Sequence, residues 1–191
     1  MSRGLSFKRR RRSIDKGKAL YVTIWVAEIL GVILAAYLIV AAFGFRTSMV
    51  GDAMYPTLSD SDVVLVNRLK YKLLSPSRGD VVAFRPDSNT KSHYYIRRIV
   101  GIPGDTVLVS DGELYVNDEI VSLAGLTGQI LVAGNASEPI TLEDGEYFVI
   151  GDNPNSSEDS RHGSVGIVTM SDIEGKVYMA VSIGSHLGFI R

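Results

Sequence analysis

The sequence contains no cysteine. Disulfides, thiol nucleophiles and thiolate metal sites are excluded, while the redox compartment stays open. Aspartates and glutamates are scattered without metal-ligand spacing, so neither a metal nor another cofactor is expected. There is no internal repeat, and only the first 18 residues are compositionally biased. Between Leu20 and Phe45 charge is nearly absent, Glu28 being the one ionisable acid or base of that kind. Beyond it no run sustains helical periodicity.

The charges are divided between the two ends. Of 20 Lys and Arg, eight fall in residues 1–18 against the single acid Asp15, which leaves 20 − 8 = 12 after Phe45. Of 21 Asp and Glu, setting aside Asp15 and Glu28 leaves 21 − 2 = 19 there, a net charge of 12 − 19 = −7. The two ends are suited to different surroundings.

Residues 19–45, ALYVTIWVAEILGVILAAYLIVAAFGF, form the apolar run that separates them. A membrane-spanning helix needs about 20 such residues. A core helix of this length would carry a polar stripe. A cleaved leader would have a shorter apolar segment, about 7–15 residues, followed by a small-residue cleavage site. The expectation is a basic cytoplasmic segment (1–18), a single transmembrane helix (19–45) and an extracytoplasmic domain (46–191). A basic cluster such as KRRRR beside an apolar span points to a topology signal or to membrane lipid, and no nucleic-acid partner is expected. Tyr21 and Trp25 read as an interfacial belt. Ile29–Phe45 alone is just long enough to cross, which places Glu28 at the cytoplasmic headgroups.

After Phe45 the chain reads as short strands rich in Val, Ile and Tyr: VVLVNRL, DVVAFRP, YYIRRIVGI, DTVLVS, ELYVNDEIV, GEYFVIGD and GKVYMAVS. Turn residues such as Pro103-Gly104-Asp105 and Ser110-Asp111-Gly112 separate them. The expected fold is mainly β, an antiparallel domain on one N-terminal helix. Ser122–Pro139, the least patterned stretch, is expected to be a surface insertion. The RGD at 78–80 is a turn.

Four segments resemble the bacterial type I signal peptidases: VGDAMYPTL (50–58), RGDVVAF (78–84), YYIRRIVGIPGDTV with LYVN (94–107, 114–117) and GDNPNSSEDSRHGSVG (151–166). Their order, their spacing and the preceding anchor also agree. The resemblance implies removal of signal peptides by a serine–lysine pair. A serine hydroxyl needs a base to take its proton, and a lysine serves as that base only when burial keeps it neutral. In this sequence the nucleophile position is Ala53 and the base position is Arg97. A methyl cannot attack, and a guanidinium keeps its proton at any pH a protein survives.

The resemblance further implies that Ser157 supports the base, that Asp152 pairs with Arg98 and that Asp159 pairs with Arg161. It assigns substrate contacts to Gly51, Asp52, Met54, Tyr55 and Pro56, in a shallow apolar groove near Met54. Pro154 stands where the family commonly has arginine. Substitutes for the dyad are poor. His93 is about 13 Å from Arg97 along an extended strand, Asp159-Ser160-Arg161-His162 reads as solvated loop, and Ser48 and Ser59 read as turn or strand-end hydroxyls.

Two readings remain open. One is a catalytically inactive, membrane-anchored relative that binds signal peptides or secreted or pilin-like segments and serves in assembly. The other is a genuine signal peptidase I, a serine endopeptidase, whose dyad was mutated to trap substrate.

Overall fold

The computed structural model describes residues 16–86, 93–123, 125–181 and 187–190. The KRRRR block lies outside the described residues. The chain divides into two compact units, Met1–Ala42 and Phe43–Arg191.

The first unit is carried by helix α1, Lys16–Phe43, whose stretch Leu20–Leu38 is long and apolar enough to cross a membrane and is not buried by protein. The helix ends before Gly44, a poor helix former, and Gly44 begins strand pairing instead. This corrects the reading of Glu28. Ile29–Phe43 spans only about 22 Å at 1.5 Å per residue, short of the roughly 30 Å hydrocarbon thickness. An apolar stretch of sufficient length therefore includes Glu28.

The second unit is built from two antiparallel sheets. Among the described residues its strands are β1 (Gly44–Ser48), β2 (Val63–Asn67), β3 (Val81–Phe84), β4 (Tyr95–Gly101), β5 (Thr106–Ser110), β6 (Glu113–Val116), β7 (Glu119–Ile120), β8 (Ile140–Thr141), β9 (Glu146–Ile150), β10 (Val168–Thr169), β11 (Ile173–Val181) and β12 (Leu187–Phe189). The larger sheet runs β1-β2-β11-β3-β4-β9-β10, with β12 also on β11, and the smaller runs β7-β6-β5-β8. Register shifts between Val177 and Met179, Ile173 and Gly175, and Ile99 and Gly101 mark bulges that curl the larger sheet.

Central strands are apolar on both faces because both faces are covered. In β3 all four side chains are buried: Val81 and Ala83 join Met54, Leu58, Val64 and Ile96, while Val82 and Phe84 join Ile99, Tyr147 and Val149. Period-two alternation sends neighbours to opposite sides of the sheet. A separate cluster of Val107, Val109, Leu114, Val116, Leu142 and Phe148 fills the space against the smaller sheet.

Two expectations need correction. ELYVNDEIV is a hairpin rather than one strand, because Asn117 and Asp118 take left-handed φ of 55° and 64° and reverse the chain between β6 and β7. Ser122–Pro139 is more than a surface insertion. Ile130 and Ala136 are buried in the smaller sheet's cluster, and the Thr127 amide donates to the Asp152 carbonyl at 3.0 Å.

Candidate functional site

The chain between β1 and β2 carries Ala53. Its base is closed by the Met49 amide bonding the Asp62 carbonyl at 2.8 Å and the Gly51 amide bonding Asp60 Oδ1 at 2.7 Å. Met54 and Leu58, both fully buried, anchor the loop in the core. The loop after β9 docks from the other side, the Asn153 amide donating to the Ala53 carbonyl at 3.0 Å. That approach requires glycine at 151. A Cβ there would stand 2.3 Å from Ser157 Oγ and 2.5 Å from the Ala53 oxygen.

Strand β4 contributes Arg97 and Arg98, which its pleat sends to opposite faces. Arg98 is buried and forms a two-pronged ion pair with Asp152, Nε to Oδ1 at 2.7 Å and Nη2 to Oδ2 at 2.6 Å. Its Nη1 donates to the Gly79 carbonyl at 2.8 Å, and the Thr57 hydroxyl donates to Asp152 Oδ2. Asp159 and Arg161 form a second buried two-pronged pair, both bonds 2.8 Å. Arg161 also bonds the carbonyls of Val132 and Pro154, and Asp159 accepts the Gly151 amide. These two pairs fix the loop 151–161 against β4 and against the segment before β8. The loop is held by charge-assisted bonds rather than by regular strand pairing.

Arg97 is also buried, yet it has no carboxylate within ion-pair distance among the described residues. Its Nε donates to the Glu158 carbonyl at 2.8 Å and its Nη1 to the Ile96 carbonyl at 2.7 Å, and its guanidinium stands 5.4 Å from the Tyr95 ring centroid. Burial pushes the guanidinium down from its ordinary value, against the pull of Asp159, Tyr95 and Glu158. An arginine starts so high that it stays charged regardless.

Ser157 is buried, and its Oγ has no hydrogen-bond partner. It does not bond Arg97, whose donors turn to main-chain carbonyls instead.

Ala53 and Arg97 line one cleft of about 430 Å³, together with Met49, Val50, Gly51, Asp52, His93, Tyr94, Tyr95, Ile96, Ser156 and Glu158. Of the expected substrate contacts, only Gly51 and Asp52 are on this surface. Met54 is fully buried, because its side chain is the loop's core anchor, and so cannot meet a ligand. Tyr55 and Pro56 are exposed but lie outside the cleft lining. The groove is therefore walled by Val50, Tyr94, Tyr95 and Ile96 rather than built near Met54. Residue patterns had not singled out Tyr94, Tyr95, Ser156 or Glu158. Only strand pairing and the docking of the 151–161 loop bring them to Ala53.

Sequence comparison places the chain in the serine-peptidase class. It belongs to the signal peptidase, peptidase S26 family, whose model matches residues 22–182. Signal peptidase I S of Bacillus subtilis (strain 168) is 35% identical over 174 residues, covering 86% of this chain and 91% of that protein. Signal peptidase I of Bacillus licheniformis is 34% identical over 174 residues, covering 86% and 89%. A crystal structure of a signal peptidase I from Enterococcus faecalis V583 aligns at 28% identity and a TM-score of 0.44, over 55% of this chain and 97% of that one.

Proposed function

We propose that this chain is a membrane-anchored signal peptidase relative that binds signal peptides, or secreted or pilin-like segments, without cutting them. The observation that supports it is the pairing of Ala53 and Arg97 on one cleft inside an otherwise intact frame. In the family's serine–lysine chemistry the hydroxyl attacks and the neutral amine takes its proton. Here the nucleophile position offers a methyl and the base position a permanent cation. The positive N-terminal segment holds the chain's start in the cytoplasm, against anionic lipid, and puts the β unit on the outer side. The apolar lining of Val50, Tyr94, Tyr95 and Ile96 suits an extended segment with small side chains.

The intact frame equally suits a genuine signal peptidase I whose dyad was replaced to hold substrate. The natural gene sequence separates that reading from the first.

A cleavage assay on a signal-peptide substrate tests the central reading. The chain as it stands, purified from a host lacking contaminating peptidase, is expected to show only background hydrolysis. Ala53→Ser and Arg97→Lys are each expected to stay at background, since members of a catalytic unit are non-additive, and the double variant is the one expected to gain rate. Robust cleavage by the unaltered chain refutes the proposal.

A further inference from the structure

The three buried arginines of the site are not equivalent. Arg98 and Arg161 each spend a two-pronged fork on an aspartate. Arg97, 6% exposed, satisfies only Nε and one Nη1 hydrogen, both with main-chain carbonyls, and its Nη2 makes no hydrogen bond to any described residue. A largely buried guanidinium with no carboxylate at ion-pair distance keeps donors that a ligand or solvent must complete. The nearest acids do not complete it. Asp159 is committed to Arg161, and the Asp52 and Glu158 carboxylates belong to exposed residues on the cleft lining, where solvent screens them.

A buried polar atom without a partner lies close by. Ser157 Oγ is buried without a partner, and with the Ala53 carbonyl it fills the space a Cβ at position 151 would need. Its neighbour Glu158 supplies the carbonyl that holds Arg97 Nε. A fixed fork with open donors, set in a largely apolar cleft of about 430 Å³, matches a planar carboxylate at the end of a short apolar chain.

We propose that Arg97 is the receptor for the free α-carboxylate of a bound peptide, so that the cleft selects segments that end in it over segments that continue through it. This rests on the reading of the cleft as a peptide site and names what that site prefers. Substitution at the two reacting positions then has one consistent outcome. Ala53 offers only a methyl to the same cleft, and the cation meets the charge that a cut peptide carries and an uncut one lacks.

The experiment uses the full chain in detergent micelles and one fluorescently labelled signal-like peptide ending in Ala-Ala-Ala. It is prepared as the free acid, as the C-terminal amide, and with four further residues. The free acid is expected to bind at least about tenfold tighter than either other form at low ionic strength, with the gap narrowing in salt. Arg97→Gln is expected to erase the preference, and Arg97→Lys to keep part of it, each checked for folding by its thermal transition. Equal binding of the three peptides by the unaltered chain overturns the carboxylate assignment while leaving the peptide site standing. A preference that survives in a folded Arg97→Gln also overturns it. Absence of saturable binding by any of the three removes the peptide-site reading and this inference with it.

Discussion

Among single residues, the buried ion pairs bear more of the site's integrity than Ala53 and Arg97 do. Asp152→Ala strips a buried arginine, Arg98, of its two-pronged carboxylate partner inside the protein. A loss of about 3–5 kcal/mol in urea denaturation is the expected result. Gly125 sits at φ +103°, and a Cβ there would stand 2.4 Å from Asp152 Oδ2 and 2.6 Å from Arg98 Nη2. Gly125→Ala is therefore expected to lower the melting temperature by both backbone strain and displacement of that pair, at about 1–3 kcal/mol. Asp80 makes the case for pH. Burial alone would raise its carboxyl, but Lys176, Lys70, the Tyr71 hydroxyl and the Ser77 amide hold it at about 2. Because the folded value lies below the unfolded one, this stabilisation is complete above about pH 4 and is lost as pH falls towards 2. Discounted for solvent screening at the partly exposed lysines, it amounts to about 1–2 kcal/mol. Asp80→Asn should flatten the acid limb of a stability-against-pH curve across that window, and an unchanged limb would assign the acid sensitivity elsewhere.

At the level of elements, turns and loops decide where the strands lead. The Asn117-Asp118 turn is locked by its own side chain, Asn117 Oδ1 accepting the Thr106 amide at 2.9 Å and Nδ2 donating to Asp105 Oδ1 at 2.8 Å. Asn117→Ala loses both bonds and the left-handed preference. It should cost about 1–2 kcal/mol, measured by chemical denaturation, without moving the cleft residues on β4. Helix α1 carries its own test. With positive charge at its start and no basic residue in its last turn, protease added to intact protoplasts is expected to digest the β unit and spare the N-terminal segment. Full protection of the β unit would reverse the orientation.

Over the whole molecule, periodicity and composition carried the architecture. The apolar run announced one spanning-length helix, and alternating Val, Ile and Tyr announced an antiparallel β unit, because burial against lipid or in a sheet leaves a direct mark on which residues are apolar. Ala53 and Arg97 were legible as a methyl and a cation, and the Asp–Arg partners could be named from motif order. Packing was not legible. No local pattern distinguishes the inward Met54 from its exposed neighbour Tyr55, since the loop is irregular and each side chain's direction is set by the core it meets. The buried role of residues 122–139 and the gathering of Tyr94, Ser156 and Glu158 around Ala53 depend on contacts distant in sequence. The sequence by itself determined that position 53 offers a methyl and position 97 a guanidinium. Tertiary structure alone decided that Arg97 is left with open donors in a cleft, because whether a buried charge is satisfied depends on which backbone and carboxylates the fold brings within reach.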